Sequence, residues 1–156
     1  MQVQLNSFFK SLTLIHLILC LGLVILILIV YYQNRGFMAS MDPSDIFLYI
    51  NPLTAALGYF LSQFLFRKQI QDIKIEENLG NKLGKYQAAS IIKYALIKGP
   101  TFIAIAAYYL SGSALHLVIA ITLTVYLYAQ KPNRLKLKKE LPLTLEEQKQ
   151  FNTFHK

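Results

Sequence analysis

Uncharged apolar stretches divide this chain. Residues 12–32 and 46–66 carry no charge, and each is about as long as the ~20-residue helix that crosses the hydrocarbon of a bilayer. A third uncharged stretch, 99–130, would reach roughly 48 Å as one helix at ~1.5 Å per residue, too far for a single crossing. Ser111-Gly112-Ser113 interrupts it with a turn signal. The third helix must then begin before Gly99, and 91–110 supplies the length while including Lys93 and Lys98. The pattern predicts an all-α integral membrane four-helix bundle. Its spans fall at about 10–32, 46–66, 89–110 and 114–130, the last two forming a tight hairpin.

Composition supports one such domain over 1–132, followed by a basic tail over 133–156. The 156 residues are 54% hydrophobic with mean hydropathy +0.39, and only 15% are charged against roughly 25% in soluble proteins. Net charge is +8. In a soluble protein that excess would suggest nucleic acid; here no nucleic-acid partner is expected, because basic residues collect at the cytoplasmic ends of spans. Lys10 precedes the first span. Arg67, Lys68, Lys74, Lys82, Lys85 and Lys93 separate the second from the third, and the remaining cluster starts at Lys131. Of the 16 basic residues, all but Arg35 and Lys98 then lie on one side, which puts both the N and C termini in the cytoplasm. The predicted location is the cell inner membrane of a bacterium, multi-pass, with the anionic inner leaflet as the first partner. Tyr31, Tyr32, Tyr49, Tyr108 and Tyr109 fit an outer aromatic belt, and Phe8, Phe66, Tyr86, Tyr126 and Tyr128 an inner one.

The first span reads as a membrane anchor. Its apolar run exceeds a signal-peptide core, no A-x-A site follows, and Leu19 before Cys20 does not suit a lipoprotein signal. Cys20 is the only cysteine, which excludes an internal disulfide. Asp42-Pro43 is a helix start for span two. The inner loop, 67–85, either prolongs helix two or lies on the surface, with Gly80 and Gly84 weakening its end. Lys131-Pro132 stops helix four. In the tail, Thr144 and Glu147 have capping-box spacing, so a short helix with Leu145, Phe151 and Phe154 as apolar contacts competes with a disordered segment.

Polar groups within spans are the candidate sites, since each is costly in hydrocarbon. Lys98 lies about seven residues into helix three. It either forms an intramembrane polar site with His16 and Gln63 or snorkels to the headgroups. His116 and Asn51 are the polar residues of the outer half. Pro52 and Pro100 mark kinks, and Pro100 frees the carbonyl of Leu96 for a neighbour. Gly58 with Ser62, and Ala95 with Gly99, have the small-xxx-small spacing of close helix contacts, which suits helices two and three or a homo-oligomer. His16 and His116 lie in opposite leaflets and His155 is in the tail, so no metal-ligand set forms, and no catalytic or cofactor-binding motif is present.

The segment Lys85-Tyr86-Gln87-Ala88-Ala89, Ile91-Ile92-Lys93-Tyr94-Ala95-Leu96 and Lys98-Gly99-Pro100 resembles a group of small uncharacterised four-span bacterial inner-membrane proteins. The resemblance covers helix three to the Lys131-Pro132 exit, and in that group an acidic residue can stand where this chain has Lys98. A fainter likeness links the hairpin to rotary-ATPase proteolipids, which carry an ion-binding carboxylate at the position where this sequence departs. Neither likeness implies an activity. The sequence therefore favours a non-enzymatic subunit, scaffold or assembly factor in a heteromeric membrane complex. The alternative is a small oligomeric transporter or channel around Lys98.

Overall fold

The computed structural model describes residues 2–34, 36–39 and 43–152. The expectations for Arg35, Asp42, Phe154, His155 and Lys156 lie outside them. The described chain is all helical: α1 (Gln2–Asn34), α2 (Phe47–Gln71), α3 (Leu79–Ser111), α4 (Ala114–Ala129), α5 (Arg134–Glu140) and α6 (Leu145–Asn152). Two helical segments, Leu5–Asn34 and Leu79–Ser111, are each long and apolar enough to cross a membrane. A third span is counted if α4 and α5, bent by 78° at their junction, are taken together. α4 alone reaches about 24 Å at ~1.5 Å per residue, short of the ~30 Å hydrocarbon. α2 is diluted by Asn51, Pro52, Thr54, Ser62 and Gln63.

α1 shows why the bundle holds together. It is apolar nearly all round, yet among its described side chains only Leu5, Phe9, Leu12, His16, Cys20, Leu23 and Val30 are buried. Steps of three and four keep these on one narrow stripe. Leu14, Leu17, Ile18, Leu21, Ile25 and Leu28 face outward. The stripe packs on α3 and α4, and α2 packs on the same pair, most extensively on α3. The α3–α4 hairpin is thus the centre, closed by Gly112 in the left-handed region (φ 67°) that an L side chain rarely adopts. Asn34 caps the end of α3 by donating to the carbonyls of Tyr108 (2.7 Å) and Tyr109 (3.2 Å). Met38 exchanges backbone hydrogen bonds with Gly112 and Ala114, tying the α1–α2 connection to the turn.

The α2–α3 crossing centres on Gly58. A Cβ there would lie 2.6 Å from Pro100 Cγ and 2.7 Å from the Leu96 oxygen. Pro100 has no N–H for the Leu96 carbonyl, and the bare backbone of Gly58 lies against that freed oxygen. The small-xxx-small expectation holds for Gly58 and for Ser62, which is fully buried. It fails for Ala95 and Gly99: both are exposed, and nothing approaches the Cβ position of Gly99. The contact face of α3 is the Leu96–Pro100 edge, one residue round the helix.

Other boundaries also differ from expectation. α2 starts at Phe47, whose N–H is taken by the Asp45 carboxylate (2.9 Å), and Pro43 stays in a turn before the helix. α2 continues only to Gln71. Asn78 then caps α3, accepting from the backbone N–H of Asn81 at 2.8 Å. α3 thus begins about ten residues before the predicted span, with Gly80 and Gly84 inside its first turns.

The tail folds back on the bundle. α6 carries the reciprocal capping box, with Thr144 N–H on Glu147 (2.8 Å) and Glu147 N–H on the Thr144 hydroxyl (3.4 Å). Leu137, Leu141, Leu143 and Phe151 are buried, whereas Leu145 is exposed, contrary to expectation. Lys82 of α3, with no exposed surface, donates to the Glu147 carboxylate at 2.8 Å. Burial opposes ionisation of Glu147, but the bonds from Lys82 and Thr144 outweigh it and hold the carboxyl below its ordinary 4.5.

Two outcomes follow. Gly58→Ala should destabilise the bundle by about 1–3 kcal/mol through overpacking against backbone, whereas Gly99→Ala should cost nothing. Melts in mild detergent check this, and equal melting temperatures would remove the crossing. A depressed carboxylate pKa stabilises the folded state above its unfolded value and loses that contribution as pH falls through the folded one. Docking of α6 should therefore be complete above pH 4.5 and weaken below it. Glu147→Gln should release α6 at neutral pH, since stripping one partner from a buried pair costs about 3–5 kcal/mol. Hydrogen exchange across α6 reads both.

Candidate functional site

Two polar clusters lie at opposite ends of the bundle. At the end holding the α3–α4 turn, His116 of α4 is fully buried. Its Nε2 lies 2.8 Å from the Asp45 carboxylate and its Nδ1 lies 2.8 Å from the Asn51 amide nitrogen. Asn51 must donate to Nδ1, so the ring's proton sits on Nε2 and is given to Asp45. The sequence grouped His116 with Asn51; the structure joins them and adds Asp45, which sequence placed in a loop. The side-chain oxygen of Asn51 is buried with no partner. The relay ties α2, α4 and the preceding loop together.

The other expected cluster does not assemble. His16 Nε2 donates to the Leu127 carbonyl (2.8 Å) and its ring meets Tyr94 edge to face at 5.0 Å. Gln63 donates to the Tyr126 hydroxyl instead. Lys98 is half-buried, with its ammonium 5.2 Å from the centre of the Phe102 ring one turn away. Lys98, His16 and Gln63 thus have three separate sets of partners. Pro52 and Pro100 both lie inside continuous helices, and the carbonyl that Pro100 frees faces Gly58 and not Lys98.

Lys93 of α3 is buried, unlike Lys98. Its side chain reaches the Gln130 Oε1 at 2.8 Å and lies 4.6 Å from the centre of the Phe66 ring. Around it, Tyr86 donates to Glu140 (2.8 Å), and Tyr94 to the Gln130 carbonyl (3.4 Å). Lys136 also reaches Gln130 Oε1 (3.4 Å). Lys93, Gln130, Lys136 and Glu140 wall a cavity of about 540 Å³ at the tail end of the bundle, lined also by Tyr59, Gln63 and Arg67. Among the described residues, none of Arg67, Lys93 and Lys136 is in an ion pair. Counting spans placed Lys93 at a helix entrance. Its angular position, about 140° from Lys98 at 100° per residue, is the signal that would have separated them. Tyr86, Tyr108 and Tyr126, expected as belt residues, also bond through their hydroxyls to Glu140, the Gly36 carbonyl and Gln63. Among the described residues no group of three metal-ligating side chains forms.

A double-mutant cycle separates structure from chemistry at His116. His116→Leu alone strands the Asn51 amide and should cost about 1–3 kcal/mol. Combined with Asn51→Leu, the loss should be less than the sum of the single losses, with a coupling of about 1 kcal/mol or more. Additive losses in detergent melts would mean that the two groups do not interact.

Comparison with protein-family models, curated proteins and solved structures yields no match to this chain.

Proposed function

We propose that this chain is a four-span inner-membrane protein with both termini in the cytoplasm, acting as a non-enzymatic subunit, scaffold or assembly factor. Four spans are supported by the outward faces of the two helices that fall short on length or hydropathy. On α2, Leu53, Leu57, Phe60 and Phe64 are exposed; on α4, Val118, Ile121 and Val125 are. Such faces suit lipid and not water. The tight hairpin also supports a return of α4 through whatever α3 crosses. The basic residues at the tail end support the orientation.

The observation carrying the functional reading is how the buried polar groups are used. His16, Asn51, Gln63 and His116 each bond a neighbouring helix: His16 to Leu127, Asn51 to His116 and Gln63 to Tyr126. Interhelical bonds of this kind fix a rigid bundle. The folded tail adds a shaped cytoplasmic surface, built from α5 and α6, that a partner can read.

Native mass spectrometry after a mild-detergent pull-down tests this. The expected result is a stable heteromeric complex with a defined partner. A pure homo-oligomer would favour a transporter or channel instead and set the scaffold reading aside.

A further inference from the structure

The cavity beside Lys93 is an unpaired cationic pocket facing an exposed apolar surface. Lys93 is buried, yet among the described residues its one hydrogen-bond acceptor is the neutral Gln130 oxygen. A buried ammonium normally requires an anionic partner, because the desolvation of the ion is otherwise uncompensated. Arg67 and Lys136 line the same space, and Glu140 is the only carboxylate that lines it. Three cations against one carboxylate leave about two positive charges facing the cavity. Glu140 is moreover engaged by the Tyr86 hydroxyl. Tyr126 accepts from Gln63, which leaves its own proton to donate toward the cavity.

The shape selects among anions. The lining on α2 runs from Gln71 back to Tyr59, about 18 Å along the axis at ~1.5 Å per residue. At the Arg67 end the walls are charged. At the other end the cavity is lined by Tyr59, whose ring meets the exposed Phe60 ring edge to face at 5.3 Å. A ligand filling it meets guanidinium and ammonium groups at one end and aromatic surface at the other, as an amphiphile does. We infer that this cavity binds the phosphate headgroup of an anionic phospholipid of the cytoplasmic leaflet. Arg67 offers a fork of donors to phosphate oxygens, Lys93 a fixed charge at the base, and Lys136 a second charge on the rim. The inference rests on the membrane orientation proposed above, but not on the existence of a protein partner.

The test uses the full chain in mild detergent, with phosphatidylglycerol, phosphatidylcholine and inorganic phosphate as probes. Native mass spectrometry should retain phosphatidylglycerol in preference to phosphatidylcholine, and phosphatidylglycerol should raise the melting temperature as a ligand of the folded state does. Arg67 and Lys136 are exposed, so Arg67→Gln with Lys136→Gln should leave the lipid-free melt unchanged. It should weaken phosphatidylglycerol retention roughly tenfold or more, as expected for two cations near an anionic headgroup. Lys93→Gln should weaken it further. Equal retention of the two lipids, or an unchanged double variant, would overturn the site. Protection by inorganic phosphate equal to that by phosphatidylglycerol would assign the pocket to a soluble phosphate compound and overturn the lipid. Cytoplasmic orientation does not enter these readouts, so a wrong topology would show in labelling of cells and not here.

Discussion

In hydrocarbon, helices gain little from hiding apolar surface, so they associate through close backbone approach and interhelical hydrogen bonds. The approach of Gly58 to the carbonyl of Leu96 is the clearest instance in this bundle. It brings α2 onto α3 without an intervening side chain. With that distance set, Gln63 reaches Tyr126 and Lys93 sits against Phe66. The same crossing places Asn51 at His116 toward the other end. A proline on one helix and a glycine on the other thus determine which polar groups of α2 meet α3 and α4.

The tail end depends on a different balance. Lys82 and Lys93 sit on α3 and are both buried, but their partners differ in charge. Lys82 has a carboxylate delivered by α6, and the pair holds the tail against the bundle. Lys93 has an amide oxygen, an aromatic face and open space. One cation is committed to structure, and the other is placed where a ligand's charge would complete its surroundings. The basic excess is therefore more than an orientation signal.

Legibility in the sequence followed the kind of signal. Run length and the Ser111-Gly112-Ser113 turn located α4 nearly to the residue, and Thr144 with Glu147 located α6. Run length failed for the start of α3, because Lys82 and Lys85 read as loop charges. One of them is buried against a residue 65 positions away, which no local pattern contains. The Gly58 spacing was visible, but its counterpart was not: Ala95 and Gly99 have the right spacing and the wrong face. The Asn51–His116 pairing was legible as shared depth, whereas Asp45 entered only through the turn before α2. Lys98 drew attention by depth alone, and the bond network shows that direction decides.

The proposed orientation puts the basic, tail-bearing end of this bundle in the cytoplasm. Cysteine accessibility tests it most directly, since Cys20 is buried and is the only cysteine in the chain. In a Cys20→Ser background, Phe37→Cys and Gln71→Cys place single thiols in the α1–α2 connection and at the end of α2. A membrane-impermeant maleimide added to intact spheroplasts should label Phe37→Cys. Gln71→Cys should be labelled only after the membrane is permeabilised. Labelling of Gln71→Cys in intact spheroplasts would contradict the proposed orientation.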